Sequence, residues 1–138
     1  MRRYLVVANQ TLLGGPLLAR VQESLAAGPC QFHLVVPATH APGRAIWTEG
    51  HDRSVAAERL AEGLQRFHAL GADVVGEVGD AHPVDAIRDV MLHAPPFDEI
   101  IVSTLPPGLS RWLRQDLPHR IQRTFELPMS VVTARAAA

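Results

Sequence analysis

The chain has 138 residues, a formal net charge of -1, 47% hydrophobic and 20% charged residues. That length and balance suit one packed domain and argue against a disordered chain or a basic protein built to hold a nucleic-acid polyanion. Every cation other than His is Arg, which removes any Lys nucleophile, Schiff base or P-loop Lys, and Cys30 as the sole cysteine removes any intramolecular disulfide.

The opening Met1-Arg2-Arg3-Tyr4 runs straight into Tyr4-Leu5-Val6-Val7-Ala8, a continuous apolar run with β-branched residues that predicts a buried strand. The run is too short for a signal peptide or a membrane span, so a cytoplasmic protein with no membrane partner is expected. Asn9-Gln10-Thr11 and Gly14-Gly15-Pro16 read as a loop, and Leu17, Leu18, Val21 and Leu25 place a helix from Pro16 to Ala27. Phe32 to Val36 is a second strand, closed by Pro37. Residues 37 to 51, rich in Pro, Gly, Thr and His, form the longest loop. Asp52 or Ser54 is expected to cap the next helix, which Val55, Leu60, Leu64 and Phe67 carry to about Leu70.

Asp73 to Val78 is a third strand, and Pro83 opens a helix with Val84, Ile87, Val90 and Met91 on one face. Glu99 to Val102 is a fourth strand, followed by Ser103-Thr104-Leu105-Pro106-Pro107-Gly108. A short helix is expected from Leu109 to Arg114. Asp116 then stands as the N-cap of a helix running to about Phe125, and Met129 to Thr133 closes the chain as a fifth strand. The alternation of strands and helices predicts an α/β fold with a parallel five-stranded sheet covered on both faces. One domain is expected over residues 1–134, with a loose tail over 135–138.

Open α/β sheets bind ligands beyond the carboxyl ends of their strands, near the point where strand order reverses. This selects the loops after Ala8, Val36 and Val102. The candidate crevice is Asn9, Thr11, Val36, Ser103, Thr104, Gly108, Ser110, Arg111, Arg114 and Asp116, with Thr39 and His40 nearby. Neither G-x-G-x-x-G nor a Walker A sequence is present. No two of the seven His residues lie three or four apart, and no Cys pair stands beside one, so no metal site is expected. Ser110 lacks the G-x-S-x-G setting of a hydrolase nucleophile, so no catalytic residue is assigned. Arg111, Arg114, His119, Arg120 and Arg123 form a basic run suited to a solvated helix face or to the rim of an anion site.

The second half resembles the universal stress protein family. Gly79-Asp80-Ala81-His82-Pro83-Val84-Asp85-Ala86-Ile87 is similar to the family's G-D-P-x-x-x-I helix entry, with two extra residues before the Pro. Phe97-Asp98-Glu99-Ile100-Ile101-Val102 is similar to its D-x-I-V-V strand. Gly108-Leu109-Ser110-Arg111-Trp112-Leu113 is similar to its G-L-S-R-x-L stretch. Leu127-Pro128-Met129-Ser130-Val131-Val132 is similar to its closing C-P-V-x-V-V. The resemblance implies a Rossmann-like three-layer α/β/α domain with strand order 3-2-1-4-5. It also implies a homodimer, for which Met129, Val131 and Thr133 of the last strand offer an edge.

ATP-binding members of that family carry G-x-x-G, nine residues, then G-S or G-T. Here Ser103-Thr104-Leu105-Pro106 stands in place of G-x-x-G, one residue is missing before Gly108, and Gln115-Asp116 replaces the final pair. Glycines let backbone amides approach phosphates, whereas Pro106 has no N–H to offer. Asp116 brings a carboxylate to a helix N-terminus, where its side chain can act as the cap in place of a bound anion. Asn9 stands where ATP-binding relatives have Asp. The expected function is therefore a regulatory or ligand-sensing module with an adenine nucleotide as a possible small-molecule ligand, ATP being disfavoured. Two other readings stand beside it. One is a protein-interaction domain with no small-molecule ligand, using Trp47 and Trp112 as apolar anchors. The other is a small enzyme acting on a nucleotide-like substrate.

Overall fold

The computed structural model describes residues 1–39, 49–94, 96–106 and 110–134. In β1 (Arg2–Val7) Tyr4 and Val6 enter one core and Leu5 and Val7 another, and all four are buried. A strand that is apolar at every position must have both faces covered, because its side chains alternate from one face to the other. β2 (Cys30–Pro37), β3 (Asp73–Gly79), β4 (Glu99–Thr104) and β5 (Met129–Thr133) complete the sheet. They are connected by α1 (Gly15–Ala27), α2 (Glu49–Ala69), α3 (Pro83–His93), and α4 (Arg111–Arg114) followed by α5 (Leu117–Phe125). All neighbouring strands are parallel, in the order β3-β2-β1-β4-β5. This is the expected Rossmann-like order.

Leu17 and Val21 of α1 and Ala56 and Phe67 of α2 join Tyr4, Val6, Phe32 and Leu34 in the first core. On the other face Ala86, Ile87 and Val90 of α3 and Leu117 and Ile121 of α5 bury Leu5, Val7, Val35, Ile100 and Val102. α3 lies directly on the sheet because Gly79 ends β3. A Cβ there would stand 2.7 Å from the Ala86 Cβ and 2.9 Å from Val35 Cγ2, closer than carbon atoms pack. At its far end α3 is tied down by a hydrogen bond to the sheet. Glu77 Oε2 lies 2.8 Å from His33 Nε2 and 2.9 Å from His93 Nε2, and this hydrogen bond raises the His93 pKa above its ordinary value.

Four expectations are corrected. β4 runs through Ser103 and Thr104 rather than ending at Val102, because those residues pair with Val132 and Thr133 of β5. α2 begins at Glu49, so Asp52 and Ser54 lie inside its first turns and do not cap it. The Ser54 hydroxyl donates back to the Gly50 carbonyl at 3.0 Å, and Asp52 is buried. The short helix before α5 covers Arg111–Arg114 only. Asp116 occupies the N-cap position of α5 in a left-handed conformation (φ 56°, ψ 37°), and its side chain makes no capping bond. Side-chain capping needs an extended cap residue, which directs the side-chain oxygen back onto the first amides. The exposed Asp116 carboxylate instead lies 3.6 Å from His119 Nδ1, one helical turn on.

Candidate functional site

The chain leaves β1 toward β2 and β3, then crosses back to β4, so strand order reverses between β1 and β4. The crevice of an open α/β sheet lies at the carboxyl ends of such a pair. Here the Thr11 and Ser103 hydroxyls share a 2.6 Å hydrogen bond across it, and both side chains are buried. The loop after β1 is shaped by its own backbone, with the Leu12 amide donating to the Asn9 carbonyl and the Gly14 amide to the Thr11 carbonyl.

Asn9 is engaged through both its amide nitrogen and its amide oxygen. Its Nδ2 donates to the Pro37 carbonyl at 2.5 Å and to Thr39 Oγ1 at 2.9 Å, while its Oδ1 accepts from Arg59 Nη1. Asn9 thus ties the end of β1 to the end of β2 and to α2, using both amide hydrogens and one carbonyl lone pair. Arg59 is a contributor that sequence reading missed. The signal was present, since 52, 56, 59, 63 and 67 follow helical spacing, and Asp52 and Arg59 are polar members of a stripe that also buries Ala56, Gly63 and Phe67. Polar residues on a buried stripe need polar partners, and Arg59 finds Asn9.

The other expected residues divide. Val36 is buried in the first core and offers no side-chain surface to the crevice. Thr104 is buried on the opposite face of β4 from Ser103, and its Oγ1 has no hydrogen-bond partner among the described residues. The buried Ser110 is turned to local work, its Oγ accepting from the Leu113 amide at 3.1 Å and its own amide donating to the Pro106 carbonyl at 3.1 Å. Asp116 is exposed. Arg111 and Arg114 are placed by the α4 backbone alone, while Gly108, His40, Trp47 and the tail lie outside the described residues. Trp112 is half-buried against the second core, covering its edge. Along β5, Val131 and Thr133 are exposed and Met129 is half-buried, on a strand that forms one border of the sheet.

Among the described residues no cluster of three His, Cys, Asp or Glu side chains is arranged to hold a metal ion, and no helix is long and apolar enough to cross a membrane. No family model matches the chain, and no curated protein matches it. Solved structures do. A universal stress protein from Archaeoglobus fulgidus superimposes with a TM-score of 0.64 at 13% identity, over 96% of this chain and 93% of that one. A universal stress protein in complex with cAMP gives 0.55 at 21% identity, over 98% and 100%. A universal stress protein family protein from Arabidopsis thaliana with AMP bound gives 0.60 at 14% identity, over 99% and 94%. With the same five-stranded parallel order and near-complete overlap with all three, the chain has the fold of the universal stress proteins.

Proposed function

We propose that the chain is a member of the universal stress protein family and acts as a ligand-sensing module whose crevice takes an adenine nucleotide with a short phosphate, not ATP. The observation that carries this reading is the carboxyl end of β4. Where a phosphate-binding loop would present free backbone amides, Ser103 and Thr104 are strand residues paired to β5, and the Ser110 amide is spent on the Pro106 carbonyl. A triphosphate needs several unpaired donors at once, and Pro106 has none to give. Two of the solved structures of this fold hold AMP or cAMP, which supports the adenine part of the reading. Titration calorimetry tests it. AMP or cAMP is expected to bind in the micromolar range, with Mg-ATP at least roughly tenfold weaker. ATP binding as tight as AMP would defeat the proposal.

We further propose that two copies assemble along β5. Its outer edge carries Val131, and an unpaired strand edge with apolar side chains invites a symmetry-related strand. Light scattering at high micromolar concentration is expected to give twice the chain mass, and Val131→Lys is expected to return the monomer. A wild-type monomer at that concentration excludes the dimer.

A further inference from the structure

At the opposite end of the sheet from the crevice, helix α3 is too short to cover its strands. Eleven helical residues span about 16 Å, whereas the seven residues of β3 span about 23 Å. α3 ends where His93 meets Glu77, and the sheet face ahead of that point lies open. Val75, on that face of β3, is 58% exposed although apolar. The result is a groove of about 120 Å³ lined by Arg3, Gln31, His33, Asp73, Val75 and Phe97.

Strand register decides what the groove presents. Arg3 pairs with Gln31 and Gln31 with Asp73, so the three form one row across β1, β2 and β3. With strands about 4.8 Å apart, a cation and an anion stand roughly 10 Å apart at the two ends of the row. Between them the Gln31 amide donates to Asp73 Oδ2 at 2.9 Å. The His33 ring meets the Phe97 ring edge-on, with centroids 5.7 Å apart, which gives the groove an aromatic wall beside the apolar Val75.

Arg3 is the group this arrangement leaves unfinished. Its backbone amide donates to Asp98 Oδ2 at 2.8 Å, but among the described residues its guanidinium has no ion pair, and its buried Nε has no acceptor. Of the nearby carboxylates, Asp98 accepts the Arg3 amide and Glu77 meets the two imidazoles, whereas Asp73 accepts a single bond from Gln31 and keeps lone pairs for a ligand donor. A buried donor without a partner costs about 1–3 kcal/mol, and the Nη groups of the same guanidinium, unpaired among the described residues, are left for a ligand carboxylate.

We propose that this groove binds a small α-amino acid in its zwitterionic form, with Arg3 taking the carboxylate, Asp73 the ammonium, and Val75 with the Phe97 ring the side chain. A simple anion would meet Asp73 and a simple cation would meet Arg3; only a molecule carrying both charges satisfies the two ends of the row. The groove is also small. A cavity of about 150 Å³ holds one benzene, so a branched aliphatic side chain of valine size fits. The site shares no residue with the crevice between β1 and β4, so it stands whether or not a nucleotide binds there.

The test is a titration of the full chain with L-valine, followed in amide nitrogen–proton correlation spectra. Saturable shifts are expected at the amides of residues 31–33 and 73–75. Binding at least roughly tenfold weaker is expected for 3-methylbutanoate, which lacks the ammonium, and for 2-methylpropylamine, which lacks the carboxylate. Arg3→Met and Asp73→Asn are each expected to weaken valine binding by a similar factor. The two analogues need no mutation, so they decide the matter even if a variant folds poorly. No saturable shift at those amides up to about 10 mM, or equal binding by either analogue, would overturn the proposal.

Discussion

Phe32→Ala is expected to lower the free energy of unfolding by about 3–5 kcal/mol, the usual cost of emptying a fully buried aromatic site. Phe32 is 1% exposed and joins the first core at the centre of a three-ring cluster. Its ring stacks on Tyr4 of β1 at 5.3 Å and meets Phe67 of α2 edge-on at 5.8 Å. Removing it leaves a void between a strand and a helix that are far apart in sequence, and it removes two aromatic contacts each worth about 0.5–1.5 kcal/mol beyond buried area. Since a domain of this kind has only about 5–15 kcal/mol in all, the variant stands near the limit of folding. Urea denaturation measures it. The midpoint is expected to fall steeply with little change in slope, because the surface exposed on unfolding is nearly the same. Val75→Ala, on the exposed face of β3, is the control and is expected to stay within about 0.5 kcal/mol of wild type. A Phe32→Ala loss of that same small size would mean that the three rings do not form the centre of this core.

The second large effect is expected at Asn9. Asn9→Ala removes the donor to the Pro37 carbonyl and Thr39 hydroxyl and leaves the Arg59 guanidinium without its acceptor. Arg59 is half-buried, and stranding a charged donor there costs about 1 kcal/mol or more. The same change unties the ends of β1 and β2 at the mouth of the crevice, so AMP affinity is expected to drop at least roughly tenfold. Asn9→Asp is the instructive companion. It keeps an oxygen for Arg59 but turns an acceptor toward the Pro37 carbonyl, which also accepts the Thr39 amide. Two acceptors facing each other repel, so Asp is expected to regain only part of the lost stability. Asn supplies this crevice with two amide hydrogens where Asp would supply none. Urea denaturation and AMP calorimetry read both variants. Wild-type values for Asn9→Ala in both would show that the contact to Arg59 is incidental.

Much of the fold was legible from local pattern. The runs Tyr4 to Ala8 and Phe32 to Val36 are apolar at nearly every position, and only a strand covered on both faces uses such a run in an α/β chain. Gly28, Gly71 and the Pro residues that open α1, α3 and α5 mark boundaries through backbone constraints that act within one or two residues. That Thr11 and Ser103 lie close together was also legible, because parallel topology brings the carboxyl ends of β1 and β4 side by side.

What the sequence determined by itself, then, is the succession of strands and helices and the end of the sheet where polar loop residues gather, since both follow from side-chain period and backbone constraint over a few residues. Only the tertiary structure decided that Ser103 and Thr104 are strand residues, because a strand's length depends on a partner some thirty residues away. It alone joined Arg59 to Asn9 across 50 positions and set Arg3, Gln31 and Asp73 in one row. Strand register and the length of a helix against the strands it covers are properties of the packed chain, and no local stretch of residues encodes them.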